Sequence, residues 1–131
     1  MKIWKEKPAN QEVEAVITEY FQLLQNGKLD DANELIPGEY DDWLNSLFVV
    51  WEDHYLIHEI PKDSSFDGKE WLNDLTWLKD LTIKPEMEWI NAAYVWADFI
   101  YRGEPSGYVG EFCVKQTDEG YTVKRTMFKM A

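Results

Sequence analysis

The sequence predicts an α+β domain in which N-terminal helices pack on a curved, mostly antiparallel sheet. Three observations predict it. The apolar residues of 11–26 recur at helical spacing. Those from about 76 onward alternate. Asp118-Glu119-Gly120 then reads as a hairpin turn between two alternating runs. The period changes once along the 131 residues, with no repeat, low-complexity tract or linker. A single domain over 1–131 is therefore expected, with helices over about 11–53 and sheet over about 76–130.

In the first helix, residues 11–26, Val13, Val16, Ile17, Tyr20, Leu23 and Leu24 form one apolar stripe. Asn10 suits the start as a cap, and Asn26-Gly27 suits the stop. A short second helix follows, capped by Asp30 or Asp31, with Ala32, Leu35 and Ile36 facing inward and Pro37-Gly38 ending it. Residues 40–53 keep the helical spacing through Tyr40, Trp43, Leu44, Leu47, Phe48 and Trp51, with Asp41 and Asp42 favourably placed in the first turn. Residues 48–60 read equally as helix continuation or as strand. Residues 61–69 are a loop on composition, and 69–75 a turn or two of helix.

The alternating half begins with Trp77, Leu81, Ile83, Met87 and Trp89; Pro85 within it predicts an edge position or a bulge. Asn91 breaks the run. Residues 92–102 form the next strand, and either Tyr94, Trp96 and Asp98 or Val95, Ala97 and Phe99 face the core. The second set is the more uniformly apolar. Arg102 to Gly107 reads as a turn region. In strand 108–117, Val109, Glu111, Cys113 and Lys115 lie opposite Tyr108, Phe112 and Val114, and Gly110 marks a bulge. Strand 121–130 places Tyr121, Val123, Arg125 and Met127 on one face and Thr122, Lys124, Thr126 and Phe128 on the other.

Charge narrows the partners. The formal net charge is −12; residues 1–78 hold 6 basic and 17 acidic side chains, whereas 79–131 hold 7 and 8. Such a surface argues against nucleic acid, whose phosphates need Lys and Arg, and against an anionic membrane. Cys113 is the only cysteine, so neither an internal disulfide nor a thiol metal site is expected. The stretch Met1–Lys7 lacks the apolar run of a signal peptide, and no segment approaches the roughly 18 apolar residues of a spanning helix; a cytoplasmic location is expected.

The stretch Val16–Asp31, the following Ala32–Pro37, and the sheet from Asn91 to Phe128 with Asp118–Val123 as its last hairpin together set an order of elements. That order resembles the nuclear transport factor 2-like superfamily, a cone-shaped, cystatin-like α+β fold. The resemblance implies a curved sheet wrapping the first helix, a cavity between them that takes a small apolar or aromatic ligand, and a homodimer formed through the sheet. Members include isomerases, dehydratases, polyketide cyclases, small-molecule binders and accessory domains, so the fold does not choose a function.

Two constellations could carry chemistry. Asp98, in mid-strand, could act as a general base if it faced the cavity, with Tyr20 or Tyr94 donating to a developing oxyanion. Facing outward, it would instead pair with a basic residue of a neighbouring strand. His54 and His58, four apart, could share a metal, but the sequence between them is Tyr-Leu-Ile and lacks the glutamate of a metalloprotease helix, so no metal is expected. Trp51, His54, His58, Tyr94 and Trp96 are the candidate ligand-binding residues, and no cofactor is expected. With no phosphate loop or nucleophile elbow, the preferred reading is a non-enzymatic module binding a small molecule or a protein. The alternatives are a cofactor-free lyase or isomerase using Asp98 and a tyrosine, and an acidic interaction or inhibitory protein with a basic partner.

Overall fold

The computed structural model describes residues 1–38, 81–83, 87–101 and 104–130. Among these residues it is α+β: helices α1 (Asn10–Gln25) and α2 (Leu29–Leu35), then strands β1 (Leu81–Ile83), β2 (Glu88–Trp89), β3 (Tyr94–Tyr101), β4 (Glu104–Thr117) and β5 (Gly120–Met130). The expected helix at 40–53, the loop at 61–69, the turns at 69–75, Trp77 and the break at Pro85 lie outside the described residues.

Helix α1 starts one residue earlier than its spacing suggests. The cap position is Ala9, whose backbone N–H donates to the Glu12 carboxylate at 3.2 Å, so Glu12 and not Asn10 serves the helix start. At the other end Gly27 takes φ 75°, and the N–H groups of Gly27 and Lys28 donate to the carbonyls of Leu24 and Leu23. This pair of bonds is the Schellman arrangement, and a left-handed glycine makes it cheap. Lys28, not an aspartate, then occupies the cap position of α2.

All described strand pairs are antiparallel. β1 and β2 lie along one edge of β3, which pairs β4, which pairs β5. The Asn91 carboxamide oxygen accepts from the N–H groups of Ala93 and Tyr94, fixing the turn into β3. β4 starts at Glu104, with Tyr101 opposite Glu104 and Ile100 opposite Pro105, so the expected turn region is largely strand. Pro105 is tolerated because it sits beside a register shift: between Asp98↔Val109 and Ile100↔Pro105, β3 has one residue and β4 three.

A second shift lies between Glu111 and Phe112, adjoining Gly110, where the sequence places a bulge. Here Thr126 is extra on β5, and it shares the position opposite Glu111 with Met127. The bulge resets the two-residue alternation. Met127 therefore does not follow Val123 and Arg125 into the core; it is 46 % exposed.

Val95, Ala97 and Phe99 of β3, Phe112 of β4 and Val123 of β5 form the inner face, packed on Val13, Val16, Ile17, Tyr20, Phe21 and Leu24 of α1 and on Ala32 and Ile36. Trp89 belongs to this seam, and its indole N–H donates to Glu14 of α1 at 2.8 Å. Burying such side chains is the main term holding helix to sheet.

The outer edge of β5 is covered twice. Trp4 exchanges two backbone hydrogen bonds with Tyr121, at 2.9 and 2.7 Å, and the N–H of Arg125 donates to the Pro37 carbonyl at 3.0 Å. Covered edges do not template pairing with other chains. Gly120, at φ 137°, turns directly beneath the first clasp, where an added Cβ would run into the Trp4 carbonyl. Gly120→Ala is expected to cost about 1–3 kcal/mol from backbone strain alone and to loosen Trp4 as well. Urea denaturation measures the first effect and Trp4 fluorescence the second; a loss under about 0.5 kcal/mol would show that the turn adapts.

Candidate functional site

The sequence-predicted site residues that are described fall on two faces of the sheet. Tyr20 points from α1 into the inner face and is fully enclosed. Its ring meets Phe21 and Phe112 edge-on, at centroid distances of 5.2 and 5.7 Å, and Phe21 in turn meets Phe99 at 4.9 Å. Edge-to-face packing of this kind is what aromatic quadrupoles favour. These rings fill the seam between α1 and the described strands.

Arg125 of β5 enters the same seam. It is 2 % exposed, and its Nη1 donates to the Tyr20 hydroxyl oxygen at 3.0 Å. Burial pushes the Tyr20 hydroxyl above its usual value near 10, while the charge and the hydrogen bond of Arg125 act in the opposite direction. The tyrosine is thus a neutral core group accepting from a guanidinium.

Asp98 lies on the opposite face. Its neighbours Ala97 and Phe99 are buried in the core, and Asp98 itself is half-buried beside Val109. The structure therefore does not bring Asp98 and Tyr20 together: the sheet stands between them. Tyr94 shares the face of Asp98, but four residues of strand, roughly 13 Å, separate the two. Trp51, His54 and His58 lie outside the described residues. Among the described residues no group of three His, Cys, Asp or Glu side chains is arranged to hold a metal ion.

What the outer face does assemble is a small polar network around Trp96. The Trp96 indole N–H donates to one Glu111 carboxylate oxygen at 2.7 Å. The Thr126 hydroxyl lies 2.8 Å from the other and 3.0 Å from the Glu111 backbone carbonyl. Three strands contribute one residue each, and the bulge that supplies Thr126 is what completes the set. With both oxygens accepting, Glu111 holds an indole in place. Tyr94 and Asp98 flank Trp96 on the same face, and Met127 projects nearby from opposite Glu111.

Sequence reasoning reached Trp96 and Tyr94 but missed Glu111, Thr126 and Arg125. Register decides which residues face one another, and a single-residue bulge shifts it without a strong local signal. Comparison with protein-family models, curated proteins and solved structures finds no match. The functional reading accordingly rests on this chain's own geometry. No helix among the described residues is long and apolar enough to cross a membrane.

Proposed function

We propose that this chain is a non-enzymatic, nuclear transport factor 2-like binding module whose recognition surface is the outer face of its sheet, and that it forms a homodimer there. The observation that carries this reading is Trp96, a half-buried indole pinned by Glu111 and Thr126 on the face away from α1. A large aromatic group held in one orientation loses little freedom on binding, which is how interface anchors gain their energy. Tyr94 and Met127 extend the apolar area around it. Two features support the nuclear transport factor 2-like reading: a first helix packed on an antiparallel sheet, and strands interrupted by two register shifts. The separation of Asp98 from Tyr20 weighs against acid–base catalysis by that pair.

Sedimentation equilibrium across the micromolar range tests the proposal. A monomer–dimer equilibrium is expected, and Trp96→Ala or Met127→Asp should shift it toward monomer by tenfold or more, about 1.4 kcal/mol. Purely monomeric wild-type protein, or a dimer indifferent to both substitutions, would refute the homodimer.

A further inference from the structure

The helices form a different surface from the outer sheet face. Between α1 and α2 lies an open groove of about 280 Å³, lined by Met1, Glu19, Leu23, Asp31, Glu34 and Leu35. Helical spacing explains its composition. Glu19 and Leu23 are one turn apart on α1; Asp31, Glu34 and Leu35 share one face of α2. Leu23 and Leu35 are half-buried and give the groove an apolar floor, which Met1, 51 % exposed, extends. The three carboxylates stand exposed around it, and none of the six lining side chains is basic.

The chemistry of an occupant follows from this arrangement. An apolar floor calls for one or two aliphatic side chains. A rim of three carboxylates calls for cations beside them. The charge of the described helical segment agrees in sign, because residues 1–38 hold 7 acidic and 4 basic side chains. Such a field draws in basic partners and repels phosphate backbones and anionic lipid. We infer that the α1–α2 groove docks a basic amphipathic segment of another protein, with a Leu-like side chain on Leu23 and Leu35 and flanking Lys or Arg on Glu19, Asp31 and Glu34. This docking is independent of the sheet-face dimer, since the groove and Trp96 lie on different elements.

The experiment is an anisotropy titration of the full chain with a labelled synthetic helical peptide of Leu and Lys only, run at low and at physiological salt. Binding is expected to weaken with salt. The combined variant Glu19→Gln, Asp31→Asn, Glu34→Gln should weaken it about tenfold. A charge-matched control, Glu104→Gln, Asp118→Asn, Glu119→Gln, should change it less than about twofold, because those exposed acids lie elsewhere. A Lys-only peptide should bind about tenfold more weakly than the Leu-Lys peptide, reflecting the floor. All six substitutions are at exposed positions, and circular dichroism verifies that each variant is folded. Equal loss in the two variants would reduce the effect to overall acidity and overturn the inference. So would equal binding of the two peptides, or indifference to the groove substitutions.

Discussion

Replacing Arg125 with alanine is expected to destabilise the protein by about 3–5 kcal/mol. Two effects combine. A long side chain that is almost wholly enclosed leaves a cavity in the seam between α1 and β5, and the Tyr20 hydroxyl loses the Nη1 group that donates to it at 3.0 Å. Arg125→Met restores most of the volume while removing the charge, and should lose clearly less than Arg125→Ala, since a buried charge carries a desolvation cost of its own. Tyr20→Phe isolates the hydrogen bond and should cost about 1–3 kcal/mol. Chemical denaturation gives all three values; equal losses in the alanine and methionine variants would mean that packing volume at this position is unimportant.

The same pair gives the fold an alkaline limit. Tyr20 holds its proton more tightly folded than unfolded. Below the ordinary tyrosine value both states are protonated and the contribution of Tyr20 to stability is fully present. As pH rises past about 10, the unfolded chain releases this proton and the folded one keeps it, so stability falls until the folded group also titrates. Tyr20→Phe should flatten this decline relative to wild type. An unchanged slope above pH 10 in that variant would place the effect elsewhere.

Phe112→Ala should cost a similar amount, about 3–5 kcal/mol. Phe112 is fully buried at the centre of the ring cluster, with Tyr20 at 5.7 Å and Phe21 at 5.8 Å. Phe21 links the cluster onward to Phe99. Because Phe21 and Phe112 touch, Phe21→Ala and the double variant should be non-additive, with the second truncation costing less in the background of the first. Strict additivity in urea denaturation would show that the two rings act independently.

The helix and strand grammar was legible because burial repeats with the period of each element. The stripe of α1 predicted Val13, Val16, Ile17, Tyr20 and Leu24 correctly, and the more apolar set of β3 is the inner one. The errors are local and physical. Leu23 is only half-buried while Phe21 is in the core, because the helix buries the face that reaches Phe99 and Phe112, and those partners lie far along the chain. Pro105 and Gly107 have turn composition yet belong to β4, since a register shift accommodates a residue without an N–H. Alternation placed Arg125 beside Val123, but nothing local shows that its partner is a tyrosine on the first helix. The Trp96 network was invisible for the same reason, as its members come from three strands aligned only after the bulge.

The clasp on β5 has a consequence for the order in which the molecule is completed. Trp4 and Pro37 are synthesised long before Gly120–Met130, yet their backbone partners lie on that strand. The Thr122 hydroxyl also donates to the Lys2 carbonyl, across 120 residues of sequence. Closing so long a loop costs little more entropy than closing one half its length. A nascent chain halted before Gly120 therefore has an unclasped front segment and a bare edge on β4. Strand β5 occupies both places, pairing with β4 on one side and with the segment around Trp4 on the other.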